Sequence, residues 1–579
     1  MLVQELKTEK QISDFLNEIA QNQNGYEQKL SGESRKKNGV FLTNSLCTVE
    51  NILSIIDTGD NIFSKKILEP ACGQGIFILK LLADIYAHFP DDTLMSNFIS
   101  NNIYFVDIQT EMIEKTKLNI KGLYYYLFEK EYTGILNGIV ADFTEKKSAK
   151  TFFLFDESSD TTLKKLYNSF DYVVGNPPYI TLYGRRDKKE NEEQRVKYLQ
   201  NYSQFPETIK NGKINLVMLF LEHSLEFLKP NGKLSFIVDV SFFETAYQYT
   251  RKYLLEHSQI NELQLNITDF DVASGQIILK LTKSKSTNNK VKITDNKTQS
   301  FHFVPQKDWY NKDDEYKFRY NGCRVFKQIF DAVKQKKDKT ILELFPNKNL
   351  RTCAMLLDME DKFTFTQKTD KNEKLIYPYY QGSKSLSEKF GSLSFTKYFY
   401  YNKPLQNSIN EQLKIELTKQ RIKNKKRIGL GETIIYDNPK IFIRQSAKEI
   451  IATLDFAKGA ANNSLYVFSL RDNSKKTIDF LYFLCGFLNS YFVTYYAQQM
   501  NIIRFSQGKQ PQIKIGDLVS IYIPQDTDLQ KKIGDLCKEF YNNPIDKNNC
   551  LSKIDNLIYN YYDFNSLQIT TIERGVKSF

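Results

Sequence analysis

The sequence predicts an α/β protein in two parts, a mostly parallel sheet flanked by helices followed by a basic half of mixed strands and helices. Three observations predict it. Short apolar strands alternate with apolar or amphipathic helices between residues 65 and 283. A Gly-x-Gly turn, Gly73-Gln74-Gly75, joins the first of those strands to its helix. Charge then changes along the chain: residues 1–285 hold 33 basic and 37 acidic side chains, whereas residues 286–579 hold 47 and 31. At 579 residues the chain is long enough for two or more cores, and 41% hydrophobic with 14% aromatic content excludes a disordered protein. No apolar run approaches 18 residues and no signal-peptide pattern opens the chain, so a cytoplasmic location with no membrane contact is expected. The seven Cys include no CxxC pair and the four His are scattered, so neither a disulfide framework nor a metal site is expected.

The elements follow in order. Residues 1–38 read as an N-terminal helical extension, a helix at QISDFLNEIA and a polar basic connection. Thr43 and Asn44 then precede an amphipathic helix with Thr48 as its expected N-cap and Val49, Ile52, Leu53 and Ile56 on one face. KKILEPACGQGIFILKLL is a strand, a loop from Glu69 to Gly75 and an apolar helix. Its glycines permit a tight turn and close backbone approach, as nucleotide-type ligands require at the carboxyl edge of such sheets. NNIYFVDIQ ends a strand in Asp107, followed by Ile108. One unit after a glycine loop, that carboxylate can accept two ribose hydroxyls, although an ordinary helix cap gives the same pattern. GIVADF ends another strand in Asp142 and Phe143.

FDYVVGNPPYI, residues 170–180, carries the chemistry. Pro177 and Pro178 cannot donate to a sheet ladder, so Asn176 to Tyr179 must form a rigid loop at a strand end. The Asn176 amide oxygen and the Pro177 carbonyl are two acceptors, and Tyr179 supplies a flat aromatic face. Two acceptors beside a ring describe a receptor for a planar amine; a proline-terminated strand with a core Tyr is the plainer alternative. The charged stretch after NPPY, TLYGRRDKKENEEQRVKYLQNYSQF, reads as a mobile loop near the substrate, with Arg185 and Arg186 as phosphate contacts or as solvated surface. A hydrophobic helix, a turn at 230–232 and a buried strand follow. Two strands within 259–283 enclose ITDFDVASGQIIL, which contains Phe270.

The polar stretch 284–300 marks the expected boundary between domains 39–285 and 286–579. The basic excess lies wholly in the second of these, which points to a polyanion partner. Lys423, Lys425, Lys426, Arg427, Arg444, Arg504 and Lys509 are the candidate DNA contacts.

Asn-Pro-Pro-Tyr after an apolar strand resembles the catalytic motif of amino-group methyltransferases, above all the DNA adenine-N6 enzymes. The order of helix motif, glycine loop, NPPY and C-terminal recognition region is similar to that of the gamma, TaqI-like class found in restriction-modification systems. IFIRQSAKEIIATLD, NNSLYVFSL, the LNS of 488–490 and the IP after the final strand resemble its specificity domain. The resemblance implies a Rossmann-like domain that binds S-adenosyl-L-methionine, a mixed α+β recognition domain, double-stranded DNA as partner, and a monomer. It implies that Asn176 and Pro177 hold the target amine of an extruded adenine while Tyr179 and Phe270 stack on its two faces. For the cofactor it implies Thr43, Glu69, Ala71, Gly73, Gly75, Phe77, Asp107, Ile108, Asp142, Phe143 and Asn176. Glu69 departs from the Asp usual at its position. Chain size and C-terminal text resemble the BseCI/ClaI group, which would imply the site ATCGAT. A fused nuclease is not expected, since about 38 residues precede the first motif and show no nuclease cluster. Methylation of RNA or of a protein glutamine, and DNA binding by a vestigial enzyme, are the alternatives.

Overall fold

The structure is a computed structural model that describes residues 8–29, 43, 45–146, 165–182, 188–206, 214–243, 245–267, 275–284, 288–312, 314–320, 324–367, 373–419, 427–504, 511–543 and 546–578. The chain forms two compact units, Met1–Tyr320 and Asn321–Phe579.

The first unit is built on a nine-stranded sheet. Its strands are β1 (Ile67–Glu69), β2 (Ile103–Asp107), β3 (Asn137–Val140), β4 (Phe170–Gly175), β5 (Leu228–Asp239), β6 (Ser258–Ile267), β7 (Gln276–Lys283), β8 (Lys290–Asp295) and β9 (Ser300–Pro305). Spatially they run β9-β8-β6-β7-β5-β4-β1-β2-β3. β1 to β5 are parallel, whereas β7 lies antiparallel between β5 and β6. The carboxyl ends of five strands therefore share one edge, which brings Glu69, Asp107, the Asp142 turn, Asn176 and Asp239 together although they are scattered over 171 positions of sequence.

Both faces of the sheet are covered, which is why its strands read as near-continuous apolar runs. One face buries Ile67, Phe105, Tyr172 and Val174 with the helices α1 (Glu9–Lys29), α2 (Leu46–Leu53), α3 (Ile76–His88), α4 (Asp92–Asn102) and α5 (Thr110–Phe128). The other buries Leu68, Val106, Val173, Phe236 and Val238 under α6 (Leu216–Phe227) and α7 (Gln248–His257).

Three expectations change. The cap of α2 is Ser45, whose hydroxyl accepts from the Thr48 N–H at 3.3 Å, while Thr48 is buried inside the helix. The charged stretch after NPPY contains a helix, Lys188–Asn201. Its Lys, Glu and Gln are good helix formers, and Tyr198 and Leu199 pack against the core, so it orders without a strong apolar stripe. The polar stretch 284–300 falls inside the first unit, because β8 pairs with β6 and β9 closes a hairpin on β8. The chain beyond it is held as well. Arg251 of α7, fully buried, donates to the carbonyls of Phe242, Tyr316 and Glu315, and Trp309 stacks on Phe318 at 4.4 Å.

On the sheet face that meets the end of α2, buried Lys280 of β7 lies 2.8 Å from Glu262 of β6, which also accepts from Thr294 of β8 at 2.7 Å and pairs with Lys292 at 3.3 Å. Burial works to raise the Glu262 pKa, but the Lys280 ammonium and the hydroxyl outweigh it and hold the carboxyl down at about 2. A lowered folded-state pKa stabilises the fold above the unfolded value near 4.5, and the contribution is lost as pH falls from there towards 2. Glu262→Gln should therefore lower the melting temperature at pH 6 and lose less on acidification to pH 3 than the wild type; parallel melting curves at both pH values would remove this role.

The second unit has two four-stranded sheets. One orders Leu350–Thr352, Leu465–Phe468, Lys440–Arg444 and Ala452–Asp455; the other orders Thr364–Phe365, Lys397–Tyr400, Ile376–Tyr380 and Ala460–Ala461. Helices Lys475–Asn489, Tyr491–Gln499, Thr527–Asn542 and Lys547–Tyr561 complete its main core. The LNS stretch has a structural account. Asn489 is buried and pairs its amide with both the N–H and the carbonyl of Ala452, and Ser490 caps the next helix. Among the described residues no single helix is long and apolar enough to cross a membrane; the pair around Ser490, bent by 60°, lies in this core.

Candidate active site

The glycine loop is clamped by three side chains, one at the end of β2 and two on α5. Gly73 has φ 53° and Gly75 φ 83°, and a Cβ on Gly75 would stand 2.7 Å from the Thr116 methyl, so glycine is required there on two counts. The Gly73 N–H donates to Asp107 Oδ2 at 3.0 Å, the Thr116 hydroxyl donates to the Gly73 carbonyl at 3.0 Å, and Asn119 Nδ2 donates to the Gln74 carbonyl at 2.9 Å. Asp107 also accepts from the Gln109 N–H at 2.9 Å. Burial raises the Asp107 pKa against these two donors. Glu69, fully buried beneath it, is raised well above the carboxylate range by burial and by the Asp107 charge, and its Oε2 has no hydrogen-bond partner among the described residues.

The residues expected to hold a nucleoside cofactor fit it unevenly. Asp107 stands at the strand end, and Ile108 beside it is 64% exposed, an apolar surface of the kind a base covers. Ala71 is half-buried at the loop. Asp142 is half-buried, its Oδ1 accepting from the Thr144 N–H at 2.8 Å and hydroxyl at 2.6 Å. Phe77 and Phe143 are core residues. Phe143 is 2% exposed against Phe220, His223 and Phe227, so its ring face is occupied by protein. The Asp142 turn is fixed from below. His223 bridges the Phe143 carbonyl and the Tyr167 hydroxyl, and burial lowers its pKa to about 3, so it is neutral. Tyr202 donates to the Thr144 carbonyl at 2.8 Å. A strand-end carboxylate, an exposed apolar side chain and a glycine loop with one bare buried carboxyl oxygen suit S-adenosyl-L-methionine.

Asn176 begins where β4 ends, one strand away from the glycine loop on β1. Its Nδ2 donates to Thr43 Oγ1 at 3.2 Å, and its Oδ1 accepts from the Tyr179 hydroxyl at 2.6 Å. Thr43, 3% exposed, thereby comes to the amine receptor itself. Pro177 is buried and Pro178 half-buried. The half-buried Tyr179 ring packs against the clusters on both faces of the sheet. Burial first, then the charge of Asp239 and the neighbouring Tyr247, push its hydroxyl pKa well above the usual value, so it is a donor at any ordinary pH.

Several candidates lie outside the described residues: Phe270, Arg185, Arg186, Lys423, Lys425, Lys426 and Lys509. Of the others, Arg427 is exposed. Arg444 donates to the carbonyls of Ser387 and Ser446, and Arg504 lies 2.5 Å from Asp517, so both carry structural contacts. Sequence reasoning missed Thr116, Asn119, Thr144 and Asp239. Thr116 and Asn119 are polar residues three apart on an otherwise half-apolar helix, a signal that was legible; Asp239 becomes meaningful only once β5 is placed beside β4.

Comparison with known proteins follows this division. The family of Eco57I restriction-modification methylases matches residues 101–273, and the TaqI-like C-terminal specificity domain matches residues 394–523. The type II methyltransferase M.BstVI of Geobacillus stearothermophilus is 26% identical over 209 residues, 34% of this chain and 33% of that protein. The putative type II restriction enzyme and methyltransferase RM.MjaORFECS2P of Methanocaldococcus jannaschii is 26% identical over 420 residues, 68% of this chain and 31% of that protein. The chain thus spans about a third of the length of these relatives. The fold is shared with the type IIL restriction-modification enzyme MmeI, solved in complex with DNA, at a TM-score of 0.61 and 11% identity over 97% of this chain and 81% of that one.

Proposed function

We propose that this TaqI-like restriction-modification methyltransferase, with a methylase region of the Eco57I family and a TaqI-like specificity region, transfers the methyl group of S-adenosyl-L-methionine to the N6 amine of an adenine in a short duplex DNA site. It would act as a monomer in the bacterial cytoplasm and mark DNA against a cognate nuclease. The observation that carries the reading is Asn176 at the end of β4, its amide held by Thr43 beside the Pro177 carbonyl, on the same sheet edge as Asp107 and the glycine loop.

The chemistry needs little beyond placement. In a duplex the amine is conjugated with its ring and paired, so the base must leave the stack at a cost of about a few kcal/mol. Stacking on Tyr179 offsets about 1–3 kcal/mol of that. Asn176 Oδ1 and the Pro177 carbonyl then accept the two amine hydrogens, which draws the nitrogen towards tetrahedral geometry and frees its lone pair. Bound S-adenosyl-L-methionine supplies an electrophilic sulfonium methyl, with Asp107 on the ribose, Ile108 against the adenine and the Gly73–Gly75 loop at its methionine part. No residue is required as a strong base, because the amine becomes acidic only as the new bond forms and its proton can pass to water. Positioning and fixed acceptors provide the acceleration.

Single-molecule sequencing of DNA from a methylation-free host expressing the chain tests this directly. The expected result is methylated adenine confined to one short motif and present on both strands; resemblance to the BseCI/ClaI group names ATCGAT. Unmodified DNA from a soluble protein that binds S-adenosyl-L-methionine would overturn the DNA reading in favour of another amine.

A further inference from the structure

Among the described residues, both hydrogen bonds to the Asp142 carboxylate fall on Oδ1, and both come from Thr144: the backbone N–H at 2.8 Å and the hydroxyl at 2.6 Å. A carboxylate only accepts, so the single hydroxyl proton of Thr144 is committed to Asp142. The Tyr198 hydroxyl, 3.0 Å from the same Thr144 Oγ1, must then be the donor of that pair. The chain of donation runs one way, from Tyr198 to Thr144 to Asp142. We propose that Tyr198 is a positioning residue for the cofactor, which through Thr144 holds the Asp142 carboxylate ready to accept the 6-amine of the cofactor's adenine. The inference rests on the S-adenosyl-L-methionine reading above, with Asp142 among the cofactor residues.

The surroundings suit a fixed relay. Thr144 and Tyr198 are buried, at 2% and 6% exposure, so water does not compete for either hydroxyl. Burial also raises the Tyr198 pKa above its usual value, which keeps the proton on the hydroxyl. Hydrogen bonds in series polarise one another, so donation from Tyr198 strengthens the bond that Thr144 makes to Asp142. Held twice on one oxygen, the carboxylate has little freedom to turn, while Asp142 itself is only half-buried and within reach of a ligand. The neighbouring Phe143 has its ring covered by Phe220 and Phe227, so the polar edge of a base is what this turn can read. Tyr198 lies on the helix Lys188–Asn201, whose Arg195 donates to the carbonyl of Leu182, three residues beyond Tyr179. The segment that leaves the amine receptor thereby folds back onto the turn assigned to the cofactor's base.

The test is calorimetric and needs neither DNA nor turnover. S-adenosyl-L-homocysteine, and the same compound with hydrogen in place of the adenine 6-amine, are titrated into the full chain. The readout is the ratio of the two affinities, and the fitted stoichiometry separates loss of folded protein from loss of affinity. The wild type should prefer the amine by on the order of tenfold or more, the worth of a hydrogen bond to a charged acceptor. Tyr198→Phe keeps the ring and should cut that preference roughly two- to fivefold, with the probe that lacks the amine bound as before. Thr144→Val removes the middle hydroxyl and should cut it at least as much, and adding Tyr198→Phe to it should change the ratio no further. Tyr202→Phe controls for a purely structural effect: its hydroxyl donates to the Thr144 carbonyl at 2.8 Å, outside the relay, so its loss should leave the ratio at the wild-type value. A Tyr198→Phe ratio equal to wild type, or one lowered equally by Tyr202→Phe, would overturn the relay while leaving cofactor binding and the methyltransferase reading intact. Equal affinity of the wild type for both probes would overturn the role of Asp142 and the relay with it, and a wild type that binds neither would overturn the cofactor reading on which both stand.

Discussion

Asn176→Ala should lower the single-turnover rate of methyl transfer on the order of 10²- to 10³-fold while leaving S-adenosyl-L-methionine affinity within about threefold of wild type. The size follows from what is removed. Asn176 Oδ1 is an acceptor fixed in advance, by the end of β4 on one side and Thr43 on the other, and in the proposed reaction it would act on the amine as its nitrogen changes geometry. Losing one such preorganised group typically costs this much, because nothing else in the site can be reorganised to replace it. The effect should fall on the chemical step, since the stacking ring of Tyr179 and the cofactor loop remain. Rapid-quench measurement under saturating cofactor and DNA reads it. A variant that turns over at more than about a third of the wild-type rate would exclude Asn176 from the chemistry.

Asp107→Ala should weaken S-adenosyl-L-methionine binding by on the order of 100-fold or more, read by calorimetry. Two losses combine. The carboxylate would no longer accept from the ribose, at about 1.5–3 kcal/mol for each charge-assisted hydrogen bond. It would also release the Gly73 N–H and the Gln109 N–H, which it holds at 3.0 and 2.9 Å, so the loop would lose one of its clamps. The Thr116 and Asn119 clamps remain and should keep the loop folded. The Glu69 pKa, raised in part by the Asp107 charge, should fall towards its ordinary value. Cofactor affinity within threefold of wild type would show that Asp107 serves the loop alone.

What the sequence makes legible is whatever is written in short windows. The run Ile67 to Gly75, the strand ending in Asp107, and Asn176 to Tyr179 each specify a strand, its end and a side chain by local chemistry, and the structure places all three on one edge. Long-range pairing is what short windows hide. Thr43 reaches Asn176 across 133 positions, a contact that no helix or strand pattern announces. The hairpin β8–β9 looks like a linker because β8 alternates Lys290, Lys292 and Thr294 with its apolar residues and β9 leaves Phe301 and Phe303 exposed, yet Val291, Ile293 and Val304 on its other face are buried in the first unit's core. Phe143 reads as a wall for a ligand, but α6 presents Phe220 and Phe227 to it, and aromatic packing takes the ring. Arg444 and Arg504 read as ligands for phosphate because a basic count cannot tell a free guanidinium from one already engaged by a carbonyl or a carboxylate.

Each hydrophobic cluster of described residues draws on a single unit: two lie within residues 12–318 and two within residues 326–572. Inheritance acts on such a chain as on two traits. A substitution in the interior of the second unit falls outside the clusters that pack around the strands leading to Asn176 and Asp107. On the function proposed above, recognition and transfer then depend on separate interiors, and either can be altered by substitutions that lie outside the hydrophobic clusters of the other.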